Sequence, residues 1–144
     1  MKQLFLCLLL GIFPCLHAVN NLRLPGVRCM GMGECGVVQS ALFNPAVVAL
    51  DSYKSFDINY FNYYGLKELG TVGMSVSYPN NLLSAGVNIS SFGYDRYRES
   101  MFRVFLGKSL TEKWTAGISI QYTFLQTELV EEKPQYLSAD VGIL

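Results

Sequence analysis

With 11 basic and 11 acidic side chains among 144 residues the formal net charge is zero, and the basic residues are scattered rather than gathered on one stripe. Nothing in that pattern attracts a phosphate backbone, so nucleic acid is not an expected partner. Apolar residues make up 51% of the chain, and Tyr, Phe and Gly are abundant, which tilts a single domain towards β-structure. Beyond the first residues no apolar run approaches the roughly 18 that a transmembrane helix needs, so a membrane home would have to be a barrel.

Residues 1–18 read as a secretory signal: Lys2 supplies the positive start, residues 4–13 the apolar stretch, and Leu16-His17-Ala18 a small-residue cleavage site. Cys15 follows Ile12-Phe13-Pro14, which lacks the small residues that lipid attachment requires. Cleavage near Val19 removes His17, the only histidine. A mature chain without imidazole has no histidine triad, general base or metal ligand, so an enzyme is the least expected class. Cys29 and Cys35 remain, either closing a small disulfide loop or standing as two buried thiols. Two thiolates with one nearby carboxylate fall short of a tetrahedral metal set, and neither metal nor cofactor is expected.

Gly31, Gly33 and Gly36 match the spacing of a dinucleotide-binding loop, with Asp57 further on. The context contradicts that reading: Pro25-Gly26 breaks the strand that should come first, and Asn44-Pro45 stops the helix that should follow. The glycines are better read as permitting tight backbone turns. Asn44-Pro45-Ala46 has the chemistry of a helix start, an Asn cap and a Pro at the first helical position. It predicts a short apolar helix over 46–50, ending at Asp51, which needs a surface to bury against.

From Ser55 onward the period changes to two. Six alternating runs follow, with apolar sets Phe56/Ile58/Tyr60, Val72/Met74/Val76/Tyr78, Leu83/Ala85/Val87/Ile89, Phe102/Val104/Leu106, Trp114 through Phe124 on even positions, and Leu137/Ala139/Val141/Ile143. A soluble β-sandwich and a membrane barrel both predict such alternation. Three features favour the barrel. Several runs reach the roughly 9–11 residues that span a bilayer. Aromatic residues (Tyr60, Tyr63, Tyr64, Tyr78, Phe92, Tyr94, Trp114, Tyr122, Phe124) gather at run ends, where interfacial girdles sit. The connections alternate long (65–70, 92–99, 126–136) and short (79–81, 109–113), the sidedness expected of outer loops and periplasmic turns. The opposite face of each run, carrying Asp57, Asn59, Arg103, Gln121 and Asp140, would then line the lumen. There Arg103 is expected to pair with a carboxylate on a neighbouring strand or to contact solute.

An exported chain with Met30-Gly-Met-Gly33, then Asn44-Pro45-Ala46, then paired amphipathic strands resembles the FadL-like outer-membrane barrels, including the PorV and PorQ group linked to type IX secretion. The resemblance implies an antiparallel transmembrane β-barrel preceded by an N-terminal hatch in its lumen. Residues 19–52 would be the hatch, with Gly31, Gly33, Gly36, Asn44, Pro45 and Ala46 belonging to it, and residues 53–144 the strands. The chain departs from the family pattern at Gly33-Glu34, where Gly-Gly is common, and in the brevity of the segment before the triplet. About six strands fall below the eight of the smallest membrane barrels, so the chain is expected to be an N-terminal portion. The partners implied are outer-membrane lipid and either small hydrophobic solutes or secretion-system proteins.

Overall fold

The computed structural model describes residues 22, 26–33, 40–62, 65–128 and 134–144. The expected signal segment and cleavage site, Gly36, Cys35 and the Tyr63-Tyr64 pair lie outside the described residues. The protein is mainly β: β1 (Ser55–Asn62), β2 (Gly70–Tyr78), β3 (Ser84–Tyr94), β4 (Tyr97–Ser109), β5 (Thr115–Thr127) and β6 (Gln135–Ile143) form one antiparallel sheet in sequence order. The sheet is open, with β1 and β6 as its edges, and does not close into a barrel. Ahead of it come a five-residue helix, α1 (Val27–Gly31), and a 3-10 helix, Pro45–Ala49. The latter starts at the proline, as expected of a Pro at the first helical position behind an Asn cap, and ends at Ala49, just short of Asp51.

Because each strand alternates and the pairing is in register, the central rows of the two faces differ sharply. On one face Ile58, Met74, Ile89, Phe102, Tyr122 and Leu137 stand in a single cross-strand row, with Phe56, Val76, Val87, Val104, Ile120 and Ala139 in the next. On the other, Asp57, Ser75, Asn88, Arg103, Gln121 and Ser138 form one row. It is the polar face that is covered. The described N-terminal segment packs on it, and the buried cluster Leu22, Leu42, Val48, Met101 and Phe105 lies between the two. The apolar face stays bare, with Ile58 66%, Ile120 54% and Val141 77% exposed. A soluble sheet has the reverse arrangement, since burial of apolar area is what holds it on its core.

Two expectations are corrected. The connection expected over 92–99 is a turn at 95–96 only, because Phe92 pairs with Glu99 and Tyr94 with Tyr97, carrying both strands on to the turn. The connections that leave the opposite end of the sheet, 79–83 and 110–114, are longer than this one, so loop length does not alternate. Gly93, at φ 106, begins the tight reversal. Phe92 is not on the aromatic rim of the apolar face: it has the parity of Asn88 and Ser90, and packs from the inner side against the buried cluster. Among the described residues no helix is long and apolar enough to cross a membrane, which says nothing about strands.

Candidate functional site

The covered face is built around a row of glycines. Gly107 pairs with Gly117 and Gly117 with Gly142, so three neighbouring strands present bare backbone at one level. The segment Asn44–Ala49 lies directly on this row. A Cβ at Gly117 would stand 2.5 Å from the Ala46 nitrogen and the Pro45 carbonyl carbon, and one at Gly107 would stand 2.7 Å from Val48 Cγ1. A Cβ at Gly142 would run into Asn44 Oδ1. Only glycine lets two backbones approach this closely.

Asn44 ties the segment down at both ends of its side chain. Its Oδ1 accepts from the Ala46 amide at 3.0 Å, capping the 3-10 helix, while its Nδ2 donates to the Ile143 carbonyl on β6 at 3.2 Å. Pro45 follows with φ pre-set for the helix, and Ala46, Val47 and Val48 are buried against the sheet. The local reading of Asn44-Pro45-Ala46 as a cap therefore carries a second meaning, since the same asparagine anchors the segment to a strand 99 residues away.

Arg103 is the second tie. It is 1% exposed and donates from Nη1 to the Leu42 carbonyl at 2.8 Å and from Nη2 to Asp140 Oδ2 at 2.9 Å, with Gln121 Oε1 also accepting from Nη2. Ser119 reaches the same Asp140 oxygen at 3.5 Å, and Gln121 Nε2 passes on to Thr123 at 3.1 Å. One guanidinium thus links β4, β5 and β6 to the docked segment. The Asp140 side chain is 42% exposed, so water softens the ion pair from that side.

Over β1 and β2 the segment stands away from the sheet and leaves a cleft of about 700 Å³ that reaches as far as Asn88 on β3. Its segment wall is apolar, with Leu42, Val47, Val48 and Leu50, and its sheet wall is polar, with Ser55, Asp57, Asn59, Ser75, Ser77 and Asn88. Asp51 stands at the end of the segment wall. Burial raises the Asp51 carboxyl above its usual value of 3.8; a hydrogen bond from Ser77 opposes the rise, and the Asp57 charge adds to it.

The expected site residues therefore divide. Arg103, Gln121 and Asp140 come together in one network, and Asn44, Pro45 and Ala46 meet the sheet beside it. Asp57 and Asn59 line the cleft instead; Asp57 shares a row with Arg103 but sits three strands away, about 14 Å at the usual strand spacing. Gly31 ends α1 and Gly33 has φ 69, yet a Cβ at either meets nothing within 4 Å. Cys29 is buried, and its expected partner Cys35 lies outside the described residues. The glycine row was not foreseen as a site; its signal was one glycine on the small-residue side of each of three successive runs, which only the register brings level. Compared with known proteins, the chain matches no family model, no curated protein and no solved structure.

Proposed function

We propose that the six strands form part of the wall of an outer-membrane β-barrel, of the FadL-like kind, and that residues 19–52 are a hatch against its inner face. The observation that carries this reading is the inverted burial of the sheet: the strands turn their apolar rows outward, bare, and the chain's own N-terminal segment packs on the opposite face, over β3 to β6. The apolar rows on β5 run from Ala116 to Phe124, about 27 Å along the strand at ~3.4 Å per residue and about 20 Å once tilted, near the height of a lipid-facing band. The resemblance of Met30-Gly-Met-Gly33 and Asn44-Pro45-Ala46 to the family supports the hatch. Closing a barrel takes at least about eight strands, so strands additional to these six complete the wall.

In the complete barrel the function is a channel for small hydrophobic solutes, with the hatch across the lumen. The mixed cleft beside the hatch, apolar on one wall and polar on the other, favours passage of a solute over a purely structural plug.

The native Trp114, the only tryptophan and exposed at the end of the 110–114 connection just before β5, supplies the test. In vesicles made with brominated lipid its fluorescence is expected to be strongly quenched. An unquenched tryptophan, together with a monomer that stays soluble without detergent, would sink the barrel reading. Uptake of labelled hydrophobic solute by cells with and without the gene then tests the channel, and equal uptake would remove it.

A further inference from the structure

The cleft between the docked segment and β1–β3 has a chemistry of its own. Besides the Cys29 thiol, the polar side chains that the described residues bring to it are carboxylates, amides and hydroxyls, and no Lys or Arg is among its described lining. Asp51, hydrogen-bonded to Ser77, and Asp57 both line it, close enough for their charges to interact. Asn88, in the middle of the sheet wall, is 4% exposed, and its Oδ1 has no hydrogen-bond partner, while its Nδ2 donates to the Met74 carbonyl at 3.4 Å. A buried acceptor without a donor is costly, and a ligand that supplies one relieves that cost. The segment wall opposite is apolar, through Leu42, Val47 and Val48, and Phe105 closes the floor. Arg103, the nearest basic group on the same row, is engaged with Asp140 and Leu42 and is not among the residues that line the cleft.

We propose that this cleft binds a primary ammonium bearing a short apolar tail: the head against Asp57, Asp51 and Asn88 Oδ1, the tail along Leu42, Val47 and Val48. An ammonium can donate to any of these acceptors, and an acceptor-only head group can donate to none. A carboxylate of equal tail length meets two like charges and, among the described lining, no donor of opposite sign. The inference names the solute class of the proposed channel and rests on that reading for how a solute reaches the cleft.

The test is calorimetric titration of the full protein in non-ionic detergent with hexylammonium, hexanoate and hexanol. Saturable binding of hexylammonium is expected, with hexanoate at least about tenfold weaker and hexanol in between. Asp57→Asn should weaken hexylammonium about fivefold, the scale of one partly hydrated ion pair, and Asp57→Glu should restore most of it. Asn88→Leu should weaken all donors alike and leave circular dichroism unchanged. Equal or tighter binding of hexanoate, no saturable hexylammonium binding, or indifference to Asp57→Asn would each overturn the proposal. Swelling of vesicles containing the protein reads the channel separately: swelling without ammonium preference defeats the cleft assignment alone, and ammonium binding without swelling defeats the channel alone.

Discussion

The two faces of this sheet keep their positions by opposite means. On the outer face large apolar side chains meet only their cross-strand neighbours, in rows such as Ile58, Met74, Ile89, Phe102, Tyr122 and Leu137, and nothing of the described chain covers them. On the inner face small and polar side chains surround a few buried apolar ones such as Met101 and Phe105, and the contacts are specific: backbone on backbone at Gly117, a cap at Asn44, a guanidinium at Arg103. The outer face needs only an apolar medium, so many residues would serve at each position. The inner face needs particular atoms at particular distances. Tolerance to substitution should therefore differ sharply between them, and each face should fail in its own way.

The largest effect is expected at the glycine row. Gly117→Val places branched carbon where the Pro45 and Ala46 backbone lies, and should release the docked segment at a cost of about 3 kcal/mol or more. Limited proteolysis within residues 40–52 and unfolding in urea would report it. Gly31→Ala is the control, since nothing lies within 4 Å of its Cβ position; it should be neutral or slightly stabilising. If both substitutions cost the same, the close approach at Gly117 is not what holds the segment.

Ile120→Arg tests the outer face at the middle row of β5. In lipid it should destabilise by about 2–4 kcal/mol, the cost of a cation near the bilayer midplane, whereas an exposed residue in water would shift stability by less than about 0.5 kcal/mol. Urea unfolding from vesicles separates these outcomes, and a neutral result would place the apolar face in water. A smaller loss, about 1–2 kcal/mol, is expected for Asn44→Ala, which removes a cap and the tie to Ile143 while leaving the glycine seat intact.

The smallest expected effect concerns pH. Because the Asp51 carboxyl is raised on folding, the folded chain holds that proton more tightly than the unfolded chain. Its contribution to stability is full below the ordinary value of 3.8 and is lost as pH rises through the raised one. Asp51→Asn should flatten this part of the stability profile, with little change in the acid limb. A profile unchanged by the substitution would mean that Asp51 is not buried by the docked segment.

Local chemistry alone made much of this legible. Period-two alternation gave six strands and the face of the residues within each alternating run, because successive side chains on a strand point to opposite sides whatever the strand pairs with. Asn44-Pro45 announced a helix start for an equally local reason, and a 3-10 helix capped by Asn44 begins there. The extent of β3 and β4 was misjudged, since Ser91–Glu99 mixes small, aromatic and charged residues and only continued pairing across the Gly93 turn keeps it in the sheet.

What the tertiary structure decided is the meeting of distant atoms. Gly107, Gly117 and Gly142 become one seat only when two hairpin registers bring them level. Arg103 was open between a carboxylate and a solute until β6 set Asp140 beside it and the docked segment offered the Leu42 carbonyl, 61 residues away in the chain. Which face the N-terminal segment chose was also a tertiary outcome. Hydrophobicity by itself would send an apolar segment to the apolar face, but large side chains there leave no seat for a backbone, whereas the glycine row does.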